Sequence, residues 1–133
     1  MIEIIGVDTN IISYIFRQDT RARLYESHLV GRLKIIAAQT FAELELMPLQ
    51  NSWSEKRHQK LRELLDDYII IETDKKISLH WAKIQFEVKR NGTPVSVGDA
   101  WIAATALAYS IPLVTHNYKD FENISDLQII SEV

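Results

Sequence analysis

Short apolar runs alternate with helical periodicities along this chain, and that alternation restricts it to the α/β class. Ile2, Ile4, Ile5 and Val7 read as a buried first strand. Leu33 to Ala37, Tyr68 to Ile71, Leu113 to Thr115 and Leu127 to Ile130 read as four more. Amphipathic segments separate them, so a mainly parallel sheet with right-handed helical crossovers is expected. The 133 residues suit one domain spanning 1–133.

Local signals place the helices. Ile11, Ile12, Ile15 and Phe16 begin the first, and Arg17 to Thr20 is a break. Arg21 to Val30 is expected to be helical, with Leu24, His28 and Leu29 partly inward and Gly31 as the stop. Thr40 and Glu43 have the T-x-x-E spacing of a capping box, and Pro48 should end or kink the helix they open. Ser52 and Glu55 repeat the box for a helix running to about Asp67, with Leu61, Leu64 and Leu65 as its buried stripe. Thr73 or Asp74 caps a long helix on which Ile77, Trp81, Ile84 and Val88 share one face, and Asn91-Gly92 closes it. Trp81 falls on that stripe, so packing explains it better than base stacking. Ser96 to Asp99 opens an alanine-rich helix ending near Tyr109, close-packing in character.

Polar groups stand where these elements change over. Asp8, Thr9 and Asn10 follow the first strand, Glu43 and Asp99 fall in first helical turns, and Thr115-His116-Asn117, with Asp120 beyond, follows the fourth strand. Each acid has an alternative role as a helix cap or dipole partner. In a doubly wound sheet, however, strand ends and helix starts gather along one edge, bringing Asp8, Glu43, Asp99 and Asn117 into one crevice. Clustered carboxylates repel and resist ionisation unless a cation joins them. Hard oxygen donors suit Mg²⁺ or Mn²⁺. The matching chemistry is metal-assisted phosphodiester hydrolysis.

The chain has no cysteine, which excludes disulfides, cysteine-ligated zinc, iron–sulfur clusters and thiol catalysis. Glu3 stands where a signal peptide needs positive charge, and no run approaches ~20 apolar residues, so a soluble cytoplasmic protein is expected. A net charge of −3 argues against a generic basic nucleic-acid coat. It is compatible with cutting nucleic acid through bound cations. Arg17, Arg21, Arg23, Lys89 and Arg90 read as solvated surface.

Four segments carry a family resemblance. They are Val7-Asp8-Thr9-Asn10-Ile11, Thr40-Phe41-Ala42-Glu43-Leu44, Gly98-Asp99-Ala100-Trp101-Ile102-Ala103-Ala104-Thr105-Ala106, and Leu113-Val114-Thr115-His116-Asn117 with Lys119-Asp120-Phe121. With them the chain resembles the PIN domain, specifically the VapC-type toxin ribonucleases of bacterial toxin–antitoxin pairs. The resemblance implies a three-layer fold, a mainly parallel sheet flanked by helices, and an endoribonuclease dependent on Mg²⁺ or Mn²⁺. It implies Asp8 and Asp99 as principal metal-binding acids and Glu43 as a further active-site acid. Thr9, Asn10 and Thr115 are accessory candidates. One common form of the family pattern has an aspartate two residues after the threonine; here Asn117 stands there, with Asp120 as a compensating acid or a turn cap. The resemblance also implies a homodimer and a small antitoxin partner. A non-catalytic module that binds RNA or protein on the same fold is the rival reading. A haloacid-dehalogenase-type phosphotransferase would need a second acid where Asn10 stands, and a receiver domain would need an acceptor aspartate directly after the third strand.

Overall fold

The computed structural model describes residues 2–133. Five strands form one sheet: β1 (Ile4–Val7), β2 (Leu33–Ala37), β3 (Ile69–Ile71), β4 (Leu113–Val114) and β5 (Ile129–Ile130). Their order is β3-β2-β1-β4-β5, and every neighbouring pair is parallel. The chain winds outward from β1 in one direction, then returns to build the other half. The switch point therefore lies between β1 and β4, where a crevice opens at the strands' carboxyl ends.

Both faces of the sheet are covered, as expected of a three-layer α/β fold. Period-two alternation sends adjacent residues to opposite cores. Ile36 and Val114 pack on one side with Ile5, Val7, Ile11, Ile12, Leu44, Leu61 and Leu65. Ala37 and Leu113 pack on the other with Ile77, Ile84, Val88 and the alanines of the later helices. The first side is built by α1 (Thr9–Phe16), α3 (Ala38–Gln50) and α4 (Glu55–Leu65), the second by α5 (Lys75–Arg90) and α6 (Val97–Ala108), with α7 (Tyr118–Phe121) after β4. Buried Ala100, Ala103, Ala104, Ala106 and Ala108 let α6 lie close against its neighbours. Trp81 and Trp101 are half-buried and stack at 4.8 Å with 17° between their planes, so both serve packing.

Several local expectations are corrected. Arg21 to Val30 is not one helix. Thr20–Tyr25 is a 3-10 helix, because Asp19 accepts the Arg21 N–H and fixes a tight turn, and α2 (Glu26–Leu29) follows. Its buried residues are Tyr25 and Leu29, while Leu24 is exposed. Neither T/S-x-x-E box forms. α3 starts at Ala38, which leaves Thr40 inside the helix, and α4 is capped by Ser54, whose hydroxyl accepts the Arg57 N–H. Ser52 instead takes a left-handed conformation in the preceding turn (φ 50°). Pro48 lies within α3, which runs two residues further. The third and fifth strands are shorter than expected, starting at Ile69 and Ile129. Asp74 caps α5 and Gly92 closes it at φ 71°, as the sequence indicated.

Among the described residues no helix is long and apolar enough to cross a membrane. Leu44 is fully buried beneath the crevice, joining α3 to the core. Leu44→Ala should lower unfolding stability by about 2–5 kcal/mol, the usual cost of emptying such a site. Denaturant titration checks this, and an unchanged midpoint would take Leu44 out of the core.

Candidate active site

β1 ends at Val7, and the next side chain stands at the mouth of the crevice. Asp8 is only 3% exposed. Its backbone N–H continues the ladder to Val114 O at 2.9 Å, which fixes it opposite the end of β4. Its Oδ1 accepts the Thr9 N–H at 2.8 Å, capping α1. Its Oδ2 accepts the Thr115 hydroxyl at 2.7 Å and the Asn10 amide at 3.0 Å. The cap reading and the site reading of Asp8 thus describe the same side chain, one oxygen each.

Asn10 also receives the His116 N–H on its Oδ1 at 3.1 Å, so it braces the end of β4 against the start of α1. Thr115 is fully buried and accepts the Asn117 N–H at 3.0 Å while donating to Asp8. Asn117 joins the network through that backbone N–H, and its residue is exposed. The inward place after β4 therefore belongs to Thr115.

Glu43 lies in α3, beyond its first turn and free of capping duty. Thr9 donates its hydroxyl to Glu43 Oε1 at 2.6 Å, and Gln39 donates to Oε2 at 2.9 Å. Thr40 Oγ1 sits 3.2 Å from Thr9 Oγ1. Thr9 thus links the Asp8 segment to α3. Gln39 had no motif to mark it, although its i, i+4 spacing to Glu43 places both on one helix face.

Asp99 is carried in by the first turn of α6. Ser96 caps that turn by accepting the Asp99 N–H at 3.1 Å. Gly98 eases the approach: a Cβ there would stand 3.0 Å from Gln39 Nε2 and 3.1 Å from Glu43 Oε2, close enough that the ends of those side chains would have to shift. A glycine inside a helical start, with no cap to explain it, was the available sequence signal.

Electrostatics tie the acids together. Burial pushes the Asp8 carboxyl up to about 6, against the Thr115 and Thr9 hydrogen bonds, and the charges of Asp99 and Glu43 push it further. Burial also raises Asp99, against the Ser96 hydrogen bond, with Asp120 and Glu43 adding to the rise. Asp8, Glu43, Asp99 and Asp120 thus share one field. No lysine, arginine or histidine forms an ion pair with any of them among the described residues. An all-oxygen, uncompensated donor set fits a hard divalent cation. No three carboxylate or imidazole groups of the described residues are already gathered to hold one ion unaided.

One neighbour escaped sequence reasoning. Tyr25 is fully buried; its hydroxyl accepts the Glu132 N–H at 3.0 Å and lies 2.6 Å from His116 Nδ1. The same hydroxyl lies 3.4 Å from Thr115 O, so it joins the His116 ring to the backbone at the end of β4. The reading of residues 21–30 as one amphipathic helix turned Leu24 inward and overlooked Tyr25, while Leu29 is buried and His28 half-buried as expected.

Comparison with known proteins bears on the family and the fold. The PIN domain family model matches residues 5–127. Ribonuclease VapC1 of Haemophilus influenzae (strain R2866) is 32% identical over 128 residues, 92% of each chain. Among solved structures, VapBC2 of Rickettsia felis, bound to a DNA fragment from its promoter, superposes with a TM-score of 0.87 at 24% identity, covering 98% of this chain and 99% of that one. VapBC-1 from nontypeable Haemophilus influenzae gives 0.83 at 28% identity, covering 96% and 97%.

Asp8 carries a measurable linkage. Its folded-state pKa lies above the ordinary 3.8, so its neutral form favours the folded chain. In chelator, stability from Asp8 should be complete below about pH 4, decline as pH rises through about 6, and level off above. The loss amounts to about 3 kcal/mol by linkage. Asp8→Asn should flatten that interval in thermal melts recorded across pH. The same decline in both proteins would assign it elsewhere.

Proposed function

The chain belongs to the PIN-domain family and, within it, to the VapC ribonucleases, and from that premise we propose that it is a divalent-cation-dependent endoribonuclease, the toxin of a toxin–antitoxin pair. The observation that carries the reading is the buried Asp8 at the β1/β4 switch point, in the field of half-buried Asp99 and Glu43 and paired with no cation among the described residues. Asp8 and Asp99 would hold Mg²⁺ or Mn²⁺, with Glu43 as the third acid. When bound, such a cation supplies positive charge for the scissile phosphate and activates water.

The chain's own residues prepare that chemistry. Thr115, Asn10 and the Thr9 N–H hold Asp8 in one orientation, leaving no rotation to be frozen when substrate arrives. Thr9 and Gln39 do the same for Glu43. Gly98 sets how closely Asp99 approaches that pair. Asn117, exposed beside Thr115, offers a neutral amide to the substrate, and Asp120 acts on Asp99 through its charge. RNA is the substrate class, supported by the ribonuclease name of the relative. A small antitoxin is a partner, supported by the VapBC complexes among the structural neighbours. A homodimer and a cytoplasmic setting complete the reading.

The test is cleavage of a mixed pool of structured and single-stranded RNAs, with Mn²⁺ and with EDTA. Cutting should require the cation. Asp8→Asn and Asp99→Asn should each lower the rate roughly 10²-fold or more, the scale for losing a charge-stabilising group, with the fold retained. Full activity in both variants would overturn the site. No cutting, and no Mn²⁺ effect on the melting temperature, would favour a non-catalytic binding module.

A further inference from the structure

α1 has the acid crevice at its start and a cationic hollow at its end. The hollow measures about 480 Å³, and Phe16, Arg17, Lys56, Arg57 and Lys60 are among its walls. The four cations are exposed, and none forms an ion pair among the described residues. The nearby acids are occupied: Asp19 is gripped by two nitrogens of Arg21, and Glu55 faces Arg62 at 3.5 Å.

Arg57 is held in a specific way. Phe16 and Trp53 stack at 5.1 Å with 20° between their planes. The Arg57 guanidinium lies 4.2 Å from the Trp53 ring centre and 5.8 Å from that of Phe16. Stacking of this kind pre-organises a guanidinium and leaves its N–H edge for a planar or tetrahedral oxyanion. No carboxylate of the described residues takes that edge. Asp19 feels the Arg17 charge, but none of the four cations forms an ion pair among the described residues, so the patch keeps an excess of positive charge on a chain of net charge −3. Such a patch is the footprint of a polyanion. The eight residues of α1 place it about 12 Å from the crevice, at 1.5 Å per residue.

We propose that this hollow is a phosphate-backbone site for RNA lying beyond the cut, with Arg57 as its pre-organised contact and Arg17, Lys56 and Lys60 around it. The proposal rests on the ribonuclease reading for the identity of the polyanion. The aromatic pair serves the arginine and not the bases, so the site grips RNA without regard to sequence.

The experiment measures binding, so it stands apart from cleavage. Fluorescence anisotropy follows a short labelled single-stranded RNA of mixed sequence on Asp99→Asn protein, across a salt series. Arg57→Gln and Lys60→Gln, each added to that background, should raise Kd roughly two- to fivefold, the scale for an exposed charge contact. Each should flatten the slope of log K against log salt by about 0.7, the single-strand value per phosphate. Arg57→Lys should recover the slope but not the full affinity, since it keeps charge and loses the stack. The melting temperature should not move in Lys60→Gln and should fall only slightly in Arg57→Gln, which loses its stacking on Trp53. Unchanged Kd and slope in both glutamine variants would overturn the proposal, as would failure of the parent protein to bind RNA. Loss of binding to a polyglutamate peptide with RNA binding intact would overturn it in favour of an acidic protein partner. RNA binding that weakens as expected in a protein that cuts no RNA would uphold the hollow and remove the nuclease reading alone.

Discussion

A carboxylate buried where two parallel strands diverge is an expensive group to hold, and the surroundings of Asp8 are arranged to hold it. Three donors from three directions satisfy it: the first amide of α1, the Asn10 side chain and the Thr115 hydroxyl. Hydrogen bonds lower its tendency to take up a proton, yet burial outweighs them. Those bonds tie β1, α1 and β4 into one unit. Thr9 extends the tie to α3 through Glu43, and Gly98 brings α6 against the same pair. The rest of the proposed site is therefore positioned by reference to one side chain.

The sheet was legible because two-faced strands are written as unbroken apolar runs, and because α5 and α4 each carry a clear buried stripe. Asp8 and Asp99 were legible for a related reason: elements end where the crevice begins, so position in the chain implied position in space. Glu43 was found for a mixed reason. Its spacing to Thr40 suggested a cap, but its partners are Thr9 and Gln39. Spacing sees only neighbours along the chain, and Thr9 is 34 residues away. Tyr25 was missed because a 3-10 turn rotates side chains by a different angle per residue from an α-helix, so helical counting turned Leu24 inward instead. Gly98 was visible as a residue and silent as a role, because a close approach leaves no periodicity.

Charge on this chain is sorted and not merely balanced. Asp8, Glu43, Asp99 and Asp120 share a field at one end of α1, and Arg17, Lys56, Arg57 and Lys60 gather at the other. A net value of −3 conceals both. The acids cannot attract a phosphodiester by themselves, and the cations of the basic hollow form no ion pair among the described residues. The two ends of one short helix supply complementary halves of the same electrostatic problem.

The central contact also fixes when the crevice can exist. Asp8 and Thr115 are separated by 107 positions, and β1 finds its second neighbour only when β4 is made. A ribosome releases β1, β2 and β3 first, and these can pair with one another in order as they emerge. Nothing in that half-sheet supplies the hydroxyl that Asp8 needs, and loop closure over most of the chain must precede the bond. Asp8 is thus translated among the first residues and gains its Thr115 partner among the last. A chain interrupted before β4 would carry Asp8, Glu43 and Asp99 without the strand that forms one wall of the crevice and the hydroxyl that satisfies Asp8.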